Sequence, residues 1–278
     1  MIKFFVGAEA VSGSNIYIEK KDDIKHLSKV LRAKVGDKVC ISDGGDWEYE
    51  TEIADIGEAC VTLRILDKQK PAREPRTRVT LYQGKPKAQK METVIQKTVE
   101  MGVDCIVPVF MERTVVTDKG QFAKKLARWQ KISDEAVKQC KRSRIPEVRE
   151  PISFAEMAAE LAGGQRADGG SRPASGYDMV ICPYENEEGR SIKDALRLPH
   201  DAELCGSEPP RQDAQGGGGA PERIALIIGP EGGFADAEIA RLAEPDIAAE
   251  IVTLGKTILR TETAGLAALA MIMYELEL

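Results

Sequence analysis

Histidine is nearly absent from this 278-residue chain: only His26 and His200 occur, and the six cysteines (Cys40, Cys60, Cys105, Cys140, Cys182, Cys205) stand singly, with no C-x-x-C pair. A structural zinc site needs clustered Cys and His ligands, so no metal is expected. Thiols scattered in this way read as reduced and mostly buried, not as a disulfide framework. No run of about 18 apolar residues could span a bilayer, and the opening MIKFFVGAEAVSGS lacks the long apolar core of a signal peptide. A cytoplasmic protein without membrane contact is the expectation.

Two nucleotide signatures are also missing. The Walker pattern G-x-x-x-x-G-K-[ST] finds its ending in Gly255-Lys256-Thr257, but its first glycine would fall at Glu250. No G-x-G-x-x-G follows the early strand-like segments, which leaves an ordinary Rossmann dinucleotide site unsupported.

What is present supports a sizeable core, with 42% hydrophobic residues, and a net charge of -6 that hides a basic middle. Residues 119–149 hold ten Lys or Arg against three acids, +7 locally. Such a patch fits a polyanionic partner, although a basic helix is commonly just a solvated face.

The first 67 residues alternate short β-like stretches (KFFV, NIYIEK, KVCISD, EYETEIADI, CVTLRIL) with one helical pattern, DDIKHLSKVLR, which suggests a small β-barrel. Pro71 and Pro75 bracket a charged linker, giving domains 1–70 and 71–278. The second domain alternates strands (RVTLYQG, CIVPVF, YDMVICPY, ERIALIIG, AEIVTLG) with helical segments, which predicts an α/β fold with a parallel sheet. Gly- and Pro-rich stretches at 163–176 and 206–221 read as inserted loops.

Within this domain, LIIGPEGGF passes from an apolar strand through a tight turn into a helix start. Such turns commonly cradle phosphate at a helix N-terminus, but Glu231 would lie beside the anion. The loop suits a ligand without phosphate that tolerates a carboxylate, such as S-adenosylmethionine; a plain strand-to-helix turn is the competing reading. About 25 residues on, LGKTILRTETAG repeats the strand-glycine-polar-helix pattern. Two such loops in consecutive strand-to-helix units belong at one sheet edge, the usual place for a ligand.

GPEGGF followed by LG-x-x-ILR-x-ETA is similar to the signature of the SPOUT methyltransferases, and specifically of the RsmE family, which methylates N3 of a uridine in 16S ribosomal RNA. HLSKVLRAKVGDKV, LYQGKPKAQKMETVIQKTVEMGV, ERTVV, RWQKISDEAVKQCKRSRIPEV and the PYE of CPYENEEG resemble that family in the same order. The resemblance implies an N-terminal PUA-like β-barrel, a C-terminal SPOUT domain with a deep trefoil knot, and S-adenosyl-L-methionine as cofactor. It implies a homodimer acting on 16S rRNA within the small ribosomal subunit. Onto this sequence it places a cofactor site at Pro183, Tyr184, Gly229, Pro230, Glu231, Gly232, Gly233, Leu254, Gly255, Ile258, Leu259, Arg260, Thr263 and Ala264.

Methyl transfer to uracil N3 requires loss of the imide proton and stabilisation of charge at O2 and O4. Arg260 is the expected cation, with Glu262 fixing its guanidinium or the loop. For RNA grip the candidates are Lys85, Lys87, Lys90, Arg113, Lys141, Arg142 and Arg144, with Lys29, Arg32 and His26 weaker. Cys140-Lys141 stands where the family has small residues, usually Ser-Gly. Ala235 replaces a capping serine, for which Asp236 would substitute as N-cap. A ribose 2'-hydroxyl or another RNA base as target, and a non-catalytic PUA-type RNA-binding factor, are the rival readings.

Overall fold

The period-two alternation of the N-terminal third becomes a curled sheet in the computed structural model, which describes residues 3–45, 47–87, 89–115, 122–163, 176–196 and 220–277. Its strands are β1 (Lys3–Phe5), β2 (Val11–Ser12), β3 (Asn15–Ile18), β4 (Lys38–Ser42), β5 (Glu48–Ile56) and β6 (Val61–Gln69). They lie in the order β1-β4-β5-β6-β3-β2. Only the β1 with β4 pairing is parallel. Register shifts between β5 and β6 at Glu50/Thr51 and Ile53/Asp55 add the local twist that curls such a sheet. Ile16, Ile18, Leu27, Ile41, Ile53 and Leu63 fill its core. The expected helix DDIKHLSKVLR forms as α1 (Lys21–Lys25) and then widens into a π-helical turn, His26–Val30. His26 packs edge-on against Phe4, with ring centroids 5.7 Å apart.

The chain divides into two compact units, Met1–Glu74 with Val137–Ile145, and Pro75–Ala136 with Pro146–Leu278. The first unit thus takes in a segment far beyond the expected boundary at residue 70. Its hold on that segment is Glu74, whose carboxylate accepts from Arg142 Nη2 (2.8 Å) and Nε (3.2 Å) and from the backbone N–H of Ser143 (2.6 Å) and Arg144 (3.0 Å). Ser143 and Lys3 close on the Glu48 carboxylate beside it.

In the second unit the alternation of apolar strands and amphipathic helices produces a sheet with every pairing parallel. Its elements are β7 (Arg78–Gly84), α2 (Lys90–Glu100), β8 (Cys105–Phe110), α3 (Phe122–Cys140, which from Val137 onward belongs to the first unit), β9 (Glu147–Val148), β10 (Ile152–Ser153), α4 (Phe154–Ala162) and β11 (Met179–Pro183). There follow α5 (Ile192–Leu196), β12 (Arg223–Ile228), α6 (Asp236–Leu242), β13 (Glu250–Val252) and α7 (Thr261–Glu277). The strand order is β10-β8-β7-β12-β11-β13, with β9 beside β8. Because β13 lies outside β11, the chain must return across the sheet edge to set α7 against α2, β7 and β12.

Tyr82, Val107, Val109, Met157, Ala225 and Ile227 are among the residues that form the core of this unit. An element the sequence reading passed over, α4, carries a full capping box between Ser153 and Glu156. At α6 the N-cap is Ala235, not Asp236, which is the first helical residue; lacking a hydroxyl, Ala235 makes only one half of a capping box, its N–H donating to Glu238 Oε2 at 2.9 Å. The inserted stretches at 164–175 and 206–219 lie outside the described residues. Among the described residues no helix is long and apolar enough to cross a membrane.

Candidate functional site

The site grows from the carboxyl ends of neighbouring parallel strands, where loops emerge side by side. After β12, Gly229 to Gly233 makes a turn closed by the Gly233 N–H on Pro230 O, 3.0 Å. Gly233 has φ +70, a conformation that side chains disfavour, and the Glu185 carboxylate occupies the space a Cβ would need. Against this turn lies the end of β7: a Cβ on Gly84 would stand 2.4 Å from Pro230 N. The backbones of two strand ends therefore touch where only glycine fits.

The second loop is joined to the first by one hydroxyl. Thr261 Oγ1, at the start of α7, donates to Gly229 O at 2.6 Å and accepts from Gln83 Nε2 at 2.8 Å. Arg260 caps the helix through its carbonyl, which accepts from the N–H groups of Thr263 and Ala264, both at 2.8 Å. Tyr184, after β11, is held by its N–H on Val252 O, 2.9 Å.

Between these loops is a cavity of about 410 Å³. Of the residues anticipated from sequence, Pro183, Tyr184, Gly229, Pro230, Glu231, Gly233, Leu254, Gly255, Ile258, Leu259, Arg260 and Ala264 line it. Two do not. Gly232 packs against Arg113, whose Cβ and carbonyl oxygen would each be 2.9 Å from an added Cβ, and Thr263 is exposed on the first turn of α7. Sequence reasoning missed Lys90, Glu185, Ile228, Phe234, Thr253, Lys256, Thr257 and Thr261 in the lining. Most flank the quoted motifs, and that adjacency was the available signal.

Charge in the cavity is arranged differently from the expectation. Lys90, at the first position of α2, lies 3.3 Å from Glu231 Oε1 and 3.2 Å from Glu262 Oε2. Glu262 Oε2 has no aligned hydrogen-bond donor, so the second contact is an ion pair without a directed hydrogen bond. Glu262 and then Glu231 hold the Lys90 ammonium above its ordinary pKa, against the opposing effect of desolvation. Partial burial works to raise the pKa of Glu231, but the Lys87 N–H (2.9 Å) and Lys90 outweigh it and keep the carboxyl below its usual value. Glu231 thus holds the turn, and Glu262 pairs with Lys90 instead of fixing Arg260. Arg260 is exposed at the cavity and, among the described residues, has no ion pair.

Three of the residues assigned to RNA grip are engaged by other groups of the protein. Lys90 is a cavity residue engaged by two carboxylates. Lys85 is buried, donates to Pro86 O at 2.9 Å and sits 5.3 Å from the Trp129 ring centroid; burial, then the charge of Lys125, lowers its pKa. Arg142 is 5% exposed and committed to Glu74. Sequence displays a charge but not its partner. Lys87 and Arg113 are exposed in the second unit, while Lys29, Arg32 and Lys141 are exposed in the first. Arg144 is half-buried, with its Nε on Gly45 O at 3.1 Å. Among the described residues no group of three or more His, Cys, Asp or Glu could hold a metal ion.

A family model for an RNA methyltransferase domain matches residues 73–273, and one for an RNA methyltransferase PUA domain matches residues 18–66. The chain is 29% identical to ribosomal RNA small subunit methyltransferase E of Bacillus subtilis, over 92% of this chain and 89% of that protein. It is 30% identical to the protein of the same name from Buchnera aphidicola subsp. Schizaphis graminum, over 88% and 84%. The crystal structure of a ribosomal RNA small subunit methyltransferase E from Neisseria gonorrhoeae, bound to S-adenosyl methionine, superposes with a TM-score of 0.72 at 27% identity, over 99% of this chain and 97% of that one.

Proposed function

The chain belongs to the family of ribosomal RNA small subunit methyltransferases E, and from that premise we propose that it methylates N3 of a uridine in 16S rRNA with S-adenosyl-L-methionine as donor. The observation that carries this reading is the cavity, in which the GPEGG turn, the LGKTILR loop and Arg260 converge. Its donor set fits the cofactor. Loop backbone of Gly229, Leu254, Gly255 and Leu259 can read an adenine edge and ribose hydroxyls. Ile228 and Ile258 offer apolar contact, Glu185 offers a carboxylate toward a cationic group, and no phosphate-binding lysine motif is present. When bound, the cofactor supplies an electrophilic methyl group on a sulfonium.

The chain's own contribution is orientation and charge. Thr261, Gln83 and Gly84 fix the two loops against each other, so that groups around the cavity are placed before substrate arrives. The Arg260 guanidinium serves negative charge developing on uracil O2 or O4 as the imide proton leaves. Glu231, held ionised by its N–H and ammonium partners, shapes the turn. Exposed Lys29, Arg32, Lys87, Arg113 and Lys141, with Arg144, contact RNA phosphate, which makes binding strongly dependent on salt.

The partner is 16S rRNA within the small ribosomal subunit, in the cytoplasm, and the working form is a homodimer. Support for the dimer comes from an apolar groove of about 680 Å³ beside Thr253 to Gly255, lined by Ala267, Ala270, Met271 and Tyr274 of α7. Tyr274 is 66% exposed there, and Met271 40%. Mass spectrometry of nucleosides from 16S RNA treated with the protein tests the reaction: 3-methyluridine is expected, and methylated ribose or another methylated base overturns the N3 assignment. Arg260→Ala is expected to lower turnover about 100-fold, with cofactor affinity measured separately; wild-type turnover ends the role given to Arg260.

A further inference from the structure

Lys90 lies between two carboxylates that come from separate strand-to-helix connections. Three loops, each leaving the carboxyl end of a different strand, bring one charged group apiece to the same point: Lys90 from the β7 loop, Glu231 from the β12 loop and Glu262 from the start of α7. Its side chain is 33% exposed and those of the two acids 22% and 19%; Lys90 and Glu231 line the cavity, and Glu262 stands behind Lys90, next to the lining residue Thr261. The cluster carries one positive and two negative charges, and two residues before Glu262 stands Arg260, without an ion pair among the described residues.

We propose that Lys90 is a positioning residue for methyl transfer: its ammonium ties the GPEGG turn to the start of α7 and supplies the counter-charge that leaves Arg260 available to the substrate. This inference rests on the reading of the chain as a methyltransferase. Two physical consequences follow if the ammonium is removed. Glu231 and Glu262 become uncompensated like charges at one point, which pushes their loops apart. Both then face the place where negative charge develops on the base, opposing what Arg260 does there. Thr261 bonds the same two loops, but a neutral hydroxyl cannot offset two carboxylates.

The test compares Lys90→Met and Lys90→Arg with the wild type in steady-state methylation of 16S RNA at several salt concentrations, and in amide hydrogen exchange of residues 229–233 and 261–264. Lys90→Met is expected to lower kcat about 10- to 100-fold while KM for RNA and its salt slope stay unchanged. Exchange in both loops should quicken. Lys90→Arg should remain within about twofold of wild type in every measurement, because a guanidinium can serve both carboxylates. Retained kcat in Lys90→Met, with a raised RNA KM and a salt slope smaller by about one, would make Lys90 a phosphate contact and overturn the proposal. Unchanged exchange would overturn it equally. A wild-type protein that binds the cofactor but methylates no RNA would instead count against the methyltransferase reading, while the exchange data still decide whether Lys90 joins the loops.

Discussion

Replacing Gly84 by alanine adds one methyl group at the place where the end of β7 meets the GPEGG turn. The new carbon would lie 2.4 Å from Pro230 N, 2.7 Å from Gly229 C and 2.8 Å from Pro230 Cδ, whereas ordinary contact begins near 3.4 Å. Backbone lies on both sides, so no side-chain rotation relieves the collision, and the two segments must part by about 1 Å. Gly84 does not have positive φ, so alanine carries no conformational penalty of its own and the effect comes from displacement alone. Overpacking of this kind costs about 1–3 kcal/mol of stability, and a shift near 1 Å in a positioning loop lowers turnover roughly 100-fold. Thermal unfolding, calorimetric titration with S-adenosylmethionine and a methylation assay read these effects together. Gly45→Ala is the control, since its nearest neighbour would be Asp43 Oδ1 at 3.5 Å, and it should stay within about 0.5 kcal/mol of wild type. Cofactor affinity and turnover within twofold of wild type in Gly84→Ala would refute the argument that this backbone contact sets the cavity.

Two further predictions concern the first unit. Glu74→Ala strands Arg142, 5% exposed, without its carboxylate, and is expected to destabilise by about 3–5 kcal/mol in calorimetric unfolding. Desolvation works to raise the pKa of Glu74, but the Arg142 guanidinium and the N–H groups of Ser143 and Arg144 prevail and leave it below the ordinary 4.5. A lowered folded-state pKa means that this contribution is present above about pH 4.5 and is lost as pH falls through the folded value, so wild type and Glu74→Ala should converge in stability under acid. Lys141 holds φ +61 directly after α3, the left-handed geometry glycine adopts freely, and Lys141→Gly should raise stability by about 1 kcal/mol; a loss of stability in the same unfolding measurement would remove the strain argument.

The strands were the most legible part of the fold. RVTLYQG and CIVPVF form β7 and β8 with the bounds expected, because a parallel strand buried on both faces is rich in apolar and β-branched residues; Thr80 and Gln83 are the buried polar exceptions in β7. The GPEGG turn was legible for a related reason, since glycines at a strand end advertise close approach of neighbouring groups. The charges were not. Glu74 and Arg142 are 68 residues apart and Lys87 and Glu231 are 144 apart, so nothing local distinguishes a committed cation from a solvated one. Arg142, Lys85 and Lys90 therefore looked like an RNA-facing set together with their exposed neighbours. The widening of DDIKHLSKVLR into a π-helical turn escaped the pattern as well, because helical periodicity does not distinguish the two hydrogen-bond ladders.

The division of the first unit between residues 1–74 and 137–145 bears on how the chain is made. During synthesis the barrel strands emerge first, but Ser143, whose hydroxyl closes on Glu48, and Arg142, which satisfies Glu74, are not yet on the ribosome's exit side. Until they arrive, Glu74 lacks the donors it has in the folded unit and Glu48 keeps Lys3 without Ser143, so the nascent barrel is an open half-product. An N-terminal fragment cut at residue 74 would keep the same unfinished surface, so the barrel completes only after much of the second unit's sequence has been translated.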